Sequence, residues 1–274
     1  MHSILITGCS SGFGYDSAIH FADKGHKVYA TMRGTTGKNQ AAAERLSAHS
    51  DNIRVVELDV CSDASVNAAA QEVGAVDVVI NNAGFGLGGA LETLSTSQFQ
   101  HQMDVNVTGV FRVCSAFLPS MRKQGHGLFI QVSSIAGRLA APGFGAYYAS
   151  KWALEGLSES LYHELAPLGI DVSIVEPGPF ATNFLPNIVP PQNDTLASAY
   201  GHVEERQSQF VELVQELLAD ENAPTDPSIV VDLFDELINM APGTRPLRTV
   251  SGLDFGVRAI NDAIEAAVEA NQPK

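Results

Sequence analysis

The sequence is short of basic residues. Its 274 residues carry 31 Asp and Glu against 16 Lys and Arg, a formal charge of −15. Nucleic acid and anionic lipid both demand basic patches, so this balance argues against either as a partner and reads as solubility. Cysteine is scarce too. Cys9, Cys61 and Cys114 stand far apart and form neither a CxxC pair nor a zinc spacing. That excludes a disulfide framework and points to a reduced, cytoplasmic protein. No apolar run approaches the ~18–20 residues of a membrane span. The N-terminus has no basic stretch followed by a long apolar one, so no signal peptide is expected. No unit of 20–50 residues repeats. HExxH, GxSxG and GxxxxGK[ST] are all absent, so metal, α/β-hydrolase and P-loop chemistry are not indicated. The eight histidines are scattered singly, and His163 reads as a partly exposed helix position.

What is present is globular: 45% hydrophobic and 17% charged residues, in a chain long enough to bury about 70–75% of its unfolded surface. Short runs rich in Ile and Val occur at 3–7, 27–31, 53–58, 76–80, 128–132, 172–175 and 247–250. Most do not alternate with polar residues, as expected of parallel strands buried on both faces. Helical patterns lie between them. Met103, Val107, Val110, Cys114 and Phe117 make one apolar stripe within 97–122, and Leu154, Leu157, Leu161 and Leu165 another within 146–167. The alternation predicts an α/β fold, a doubly wound parallel sheet of about seven strands with helices on both faces. After Glu176 five prolines fall in PGPFATNFLPNIVPPQNDT. An amphipathic run with Phe210, Val214 and Leu217 follows, then helix candidates at 229–240 and 254–269. We read 179–225 as an insertion over the C-terminal edge of the sheet, where ligands of open α/β sheets bind.

The first strand runs into Gly8-Cys9-Ser10-Ser11-Gly12-Phe13-Gly14. A glycine-rich turn between strand and helix lets backbone N–H groups reach a pyrophosphate at the positive helix end. The spacing is GxxxGxG rather than GxGxxG. The second strand ends Tyr29-Ala30-Thr31-Met32-Arg33-Gly34, with no acid to hold a ribose 2′-hydroxyl. Arg33 offers a cationic fork suited to a 2′-phosphate, which points to NADP(H) over NAD(H).

Tyr147 and Lys151 are four apart in a helical pattern and share a face. An ammonium beside a phenol favours phenolate and lowers its pKa toward a working range. Ser134 follows a strand at the same sheet edge, where its hydroxyl could bond a carbonyl oxygen. Spacing alone does not separate Tyr147 from Tyr148, or Ser134 from Ser133.

TGCSSGFG at 7–14, NNAG at 81–84, Asn106 in DVNVTG, SSIAG at 133–137, YYASK at 147–151 and EPGPFATNF at 176–184 resemble the short-chain dehydrogenase/reductase family. The resemblance covers 1–184, with six motifs in family order. Its details are most similar to the 17β-hydroxysteroid dehydrogenase-like and retinol dehydrogenase-like branch. The resemblance implies Asn106, Ser134, Tyr147 and Lys151 as catalytic tetrad, because the family serine precedes its tyrosine by thirteen and the lysine follows it by four. It further implies cofactor contacts from Gly8, Ser10, Ser11, Gly12, Phe13 and Gly14, from Asp59 and Val60 at the adenine, and from Pro177, Gly178 and Thr182 at the nicotinamide carboxamide. Asn82, Ala83 and Gly84 would steady the sheet beside the cofactor. Ser134 would polarise a carbonyl and Tyr147 protonate it. Lys151 would bind the nicotinamide ribose, and Asn106 would hold a water linking Lys151 to solvent.

The motif order predicts one catalytic domain over 1–274, with 179–225 as a substrate lid. Leu139, Phe144, Phe180 and Phe184 are candidate substrate residues, a set suited to a hydrophobic ketone, aldehyde or alcohol. Two other readings stand beside this one: an NADPH-binding sensor without turnover, and a sugar-nucleotide epimerase or dehydratase. The family's habit of pairing its two long helices implies a homodimer or homotetramer.

Overall fold

Along each inner strand, successive residues feed opposite faces of one sheet. The computed structural model describes residues 1–271; residues 272–274, the end of the expected 1–274 unit, lie outside the described residues. The chain runs β1 (Ser3–Thr7), α1 (Gly12–Asp23), β2 (Lys27–Met32), α2 (Gln40–His49), β3 (Ile53–Glu57), α3 (Asp63–Val73), β4 (Val78–Asn81), α4 (Thr96–Met103), α5 (Gly109–Gln124), β5 (Gly127–Val132), α6 (Gly145–Leu165), β6 (Ile170–Pro177), α7 (Gly201–Ala219), α8 (Ser228–Asn239), β7 (Arg248–Ser251) and α9 (Val257–Asn271). The strands form one seven-stranded sheet in the order β3-β2-β1-β4-β5-β6-β7, every pair parallel. Ile4, Ile6, Val28, Ala30, Val78 and Ile80 pack under α1, α2 and α8. Leu5, Tyr29, Val79 and Phe129 pack on the other face under α3, α5 and α6. Chain order reverses at β1, whose neighbours are β2 and β4, and ligands gather at such a switch point.

All seven expected strands are present, with shifted ends. β6 is the longest departure, running to Pro177 because β7 pairs along it from Ile174. The single helix expected over 97–122 is broken. A π-helical turn at Asp104–Thr108 separates α4 from α5. The extra residue in that turn rotates the buried face, so Gln102 and Asn106 point inward where the stripe had placed Met103 and Val107. Beyond the turn the stripe resumes with Val110, Cys114 and Phe117 buried. On α6, Leu154 and Leu165 are buried, Leu157 and Leu161 half-buried, and His163 exposed.

The proline-rich segment after β6 packs on the loop that follows β4. Val189 N–H donates to Gly86 C=O at 2.9 Å, Gly88 N–H donates back to Val189 C=O at 2.9 Å, and Phe144 meets Phe210 of α7 at 6.0 Å. No helix among the described residues is long and apolar enough to cross a membrane.

One arginine fastens the outer part of the sheet. Arg245 donates to the C=O groups of Leu237, Ile238 and Met240 at 2.6, 3.2 and 2.9 Å, and pairs with Asp171 of β6. Its buried guanidinium thus satisfies the carbonyls at the end of α8 and ties that helix to the sheet. Arg245→Ala removes the donor from three helix-end carbonyls and leaves the Asp171 carboxylate to Gly243 N–H. It is expected to lower the unfolding free energy by about 3 kcal/mol, read from urea denaturation at neutral pH.

Candidate active site

The loops after β1 to β6 open into one cleft of about 990 Å³ at the C-terminal edge of the sheet. At its inner end stands the glycine turn. Gly8 and Gly12 have φ of 77° and 58°, in the left-handed region that favours glycine. A Cβ on Gly8 would lie 2.9 Å from Ala83 Cα, so the turn also needs glycine for close approach to β4. Ser11 at the N-cap of α1 makes no side-chain cap bond, and the first turn of the helix carries no acid. The N-terminus of α1 therefore presents uncapped N–H groups toward the cleft, a donor set that fits a pyrophosphate.

Thr7 and Asn82 hold this turn in place. Thr7 Oγ1 accepts from the N–H groups of Asn82 and Ala83, both at 3.0 Å. The Asn82 amide donates to the C=O groups of Thr7 at 2.9 Å and Gly8 at 3.4 Å. Gly14 departs from expectation. It does not line the cleft, because a Cβ there would fall 2.5 Å from Asn82 Nδ2 and 2.7 Å from Gly8 C=O. Its smallness serves packing beneath the turn.

Arg33 is exposed at the cleft wall and has no acidic partner among the described residues. Lys38 joins it there, also unpaired, a second cation that the sequence reading missed although it lies only five residues on. The nearby acid is already engaged. Glu57 accepts from Gly34 N–H at 2.6 Å, Thr35 N–H at 2.8 Å and Thr35 Oγ1 at 2.6 Å, and these bonds hold its carboxyl below the usual range against the opposing effect of burial. Glu57 thus organises the turn that carries Arg33. Asp59, Val60, Ala83, Gly84, Pro177, Gly178 and Thr182 line the same cleft.

Ser134, Tyr147 and Lys151 come together on the opposite wall, with Tyr148 beside them. Ser134 Oγ accepts from Ala136 N–H at 3.1 Å and is 3.4 Å from Pro177 C=O. Burial pushes the Tyr147 phenol up to about 12, and the Ser134 hydroxyl offsets only part of that rise. The expected lowering by Lys151 is not seen. The ammonium donates to Val132 C=O at 2.8 Å and lies 5.8 Å from the centre of the Tyr147 ring. Burial in turn brings Lys151 down to about 8, partly opposed by Glu155 one turn along α6.

Asn106 is brought near but not into the cleft. It is 1% exposed. Its Oδ1 accepts from Phe85 N–H at 3.1 Å, and its Nδ2 donates to Phe85 C=O and Ser150 Oγ, both at 3.0 Å. The side chain clamps the loop after β4 to α6. The π turn is what aims it inward. Ser133, the alternative to Ser134, also borders the cleft but is buried at 3% with its hydroxyl against Gly137.

The four candidate substrate residues all line the cleft but divide in two. Leu139, Phe144 and Phe184 share one end, where Phe184 packs 5.2 Å from the Tyr147 ring. Phe180 belongs to the other end. It meets Phe13 edge-on at 5.5 Å and joins the core under the glycine turn, so it supports that turn rather than the mouth.

Behind Lys151 lies a buried ionic cluster. Arg248 bonds Glu155 at 3.0 Å and reaches Glu159; Arg138 bonds Glu176 at 3.2 Å and stands 3.6 Å from Glu155. Asn261 of α9 donates to Glu176. Burial, then the neighbouring charge of Glu155, pushes the Glu176 carboxyl up to about 7.

A cleft at the switch point of a doubly wound sheet, with an uncapped helix N-terminus on one wall and a Ser, Tyr and Lys on the other, defines a dinucleotide-dependent enzyme class. The short chain dehydrogenase family pattern matches residues 2–193. Human 17-beta-hydroxysteroid dehydrogenase type 1 is 37% identical over 84% of this chain and 72% of its own length. Human retinol dehydrogenase 8 is 41% identical over 66% of this chain and 60% of its own. The crystal structure of a short-chain dehydrogenase from Streptomyces avermitilis superposes with a TM-score of 0.81 at 32% identity, over 98% of this chain and 97% of that one. The chain belongs to the short-chain dehydrogenase family and is an oxidoreductase of that family. Solved relatives differ in cofactor. A gluconate 5-dehydrogenase from Burkholderia cenocepacia holds NADP and tartrate (TM-score 0.62, 31% identity, 66% of this chain and 72% of that one). A Burkholderia phymatum member holds NAD (TM-score 0.75, 25% identity, 99% and 96%).

A buried ammonium is a burden on the fold. With its pKa lowered from the unfolded value near 10.5 to about 8, Lys151 destabilises the folded state fully below pH 8. That penalty fades as pH rises toward 10.5. Lys151→Met is therefore expected to be more stable than the parent by about 1–3 kcal/mol at pH 7. The gap should close above pH 10, as followed by urea denaturation across pH.

Proposed function

We propose that this chain interconverts a hydrophobic ketone or aldehyde and its alcohol with NADP(H). One observation carries the reading: Ser134, Tyr147 and Lys151 face the same cleft as the uncapped N-terminus of α1. A nicotinamide dinucleotide bound there would supply the hydride. Ser134 holds the carbonyl oxygen of the substrate. Tyr147 gives that oxygen its proton, and a phenol held at about 12 is fully protonated at neutral pH and ready to donate. Lys151, already anchored on Val132, holds the ribose side of the cofactor and restores the proton lost by Tyr147. Asn106 acts from behind by fixing Phe85 and Ser150. Asp59 and Val60 serve the adenine end, and Pro177, Gly178 and Thr182 the nicotinamide end.

The preference for NADP(H) is supported by Arg33 and Lys38, two unpaired cations in an acidic protein, and by Glu57 being turned to backbone donors. The substrate class is supported by the apolar mouth of Leu139, Phe144, Phe184, Phe210 and Val214, with segment 179–225 acting as its lid. The names of the steroid and retinol dehydrogenase relatives point to the same kind of bulky apolar molecule. Phe111 on α5 and Trp152 on α6 are half-exposed, which supports pairing of two copies through these helices.

Tyr147→Phe is expected to lower kcat for ketone reduction by about 10²–10⁴-fold, followed as loss of NADPH absorbance. Cofactor affinity, read by fluorescence titration, should stay nearly unchanged. Retention of more than about a tenth of the parental rate would remove Tyr147 from its role. Arg33→Asp should shift the kcat/KM ratio of NADPH to NADH toward NADH by about tenfold or more. An unchanged ratio would sink the assignment of Arg33.

A further inference from the structure

At the outer rim of the cleft, three donors of different chemistry converge, one from the loop after β3 and two from one turn of helix. Cys61 lies in the loop after β3, His101 on α4 and Asp104 in the π turn. Their ligand atoms, one sulfur, one ring nitrogen and one carboxylate oxygen, all fall within 4.8 Å of one another. We propose that Cys61, His101 and Asp104 form a binding site for a thiophilic divalent cation, with zinc the best match.

The donor set carries the choice of metal. Thiolate, imidazole and carboxylate together suit a borderline-soft ion taken up tetrahedrally, and three protein ligands leave a fourth position for water. Calcium and magnesium require oxygen ligands and find only one side chain here. Cys61 is the accessible thiol, since Cys9 and Cys114 are both buried. His101 is exposed and gives an entry path; its ring packs 5.2 Å from Phe85, which restricts its orientation. Asp104 gives Oδ1 to Arg112 at 2.8 Å, and its carboxylate also faces the Cys61 thiol. Arg112 stays satisfied throughout, because it also bonds Asp63 at 2.6 Å and Val60 C=O at 3.1 Å. With Asp59 acting on the Cys61 thiol as well, the surroundings hold three carboxylates against one guanidinium, a balance that favours a cation.

Binding forms a metal–sulfur bond as the S–H bond breaks, and the proton leaves to solvent; no electron is transferred. No sequence spacing announces this site, because 61 and 101 are brought together only by the packing of the β3 loop against the π turn. The proposed site departs from the expectation of no metal site.

The site adjoins the cleft wall that carries Asp59 and Val60, and both Cys61 and His101 line that cleft. If the adenine end of the cofactor lies there, as the proposed function holds, bound zinc competes with it. The two claims separate experimentally. Calorimetric titration of the full chain with zinc chloride should show one ion per chain. Cys61→Ser and His101→Ala should each weaken it by about 10–100-fold. Titration with cobalt(II) should give a thiolate-to-cobalt charge-transfer band and tetrahedral d–d bands, with the charge-transfer band absent in Cys61→Ser. Unchanged zinc affinity in both variants, or a cobalt spectrum without thiolate character, would overturn the site as an adventitious ion only. Zinc bound with these signatures but without effect on NADPH affinity would leave the site standing and overturn the link to the adenine end.

Discussion

The cleft depends on how the ends of β1 and β4 are held together. Thr7 and Asn82 close that seam with four hydrogen bonds, two into the Thr7 hydroxyl and two out of the Asn82 amide. The glycine turn springs from one side of the seam and the loop bearing Phe85 from the other. Gly8 and Gly14 are glycines because the seam is too narrow for a side chain. The N-terminus of α1 is therefore aimed by β4 as much as by its own strand. A parallel sheet makes this economical, since every strand ends on the same edge and a few short bonds align several loops at once.

On the far wall the constraint is burial. Lys151 and the Tyr147 phenol are both held where their charged forms are disfavoured, one pushed down and the other up. Both shifts have one cause, since burial disfavours the phenolate and the ammonium alike. The fold tolerates them because Val132 takes a hydrogen bond from the ammonium and Glu155 lies one turn behind it.

The layout was legible in the sequence where hydrophobic runs are short and glycine is unavoidable. The strands, their parallel pairing, the glycine turn, Arg33 and the Ser134, Tyr147, Lys151 trio all follow from local pattern or motif. Residues whose place depends on three-dimensional packing were not. A heptad-like stripe cannot reveal the extra residue of the π turn, so Asn106 was recognised by motif while its clamping contacts were not. Phe180 looked like a mouth residue because polarity does not tell which end of a cleft a side chain meets. Lys38 carried a faint signal, a second base in the turn after β2. His101 and Asp104 stand one helical turn apart, but Cys61 carried no signal, being remote from them in sequence and joined to them only by packing.

The ionic cluster behind Lys151 has a consequence for anyone recombining this chain. Arg248 and Asn261 reach in from the last strand and helix to meet Glu155 and Glu176, which stand on the helix and strand flanking the catalytic wall. The final quarter of the chain is thus tied to the interior by one ion-pairing arginine and one amide hydrogen bond. A chimera that exchanges β7 and α9 for those of a relative must carry both partners across. Without them two buried carboxylates are left to share the single guanidinium of Arg138.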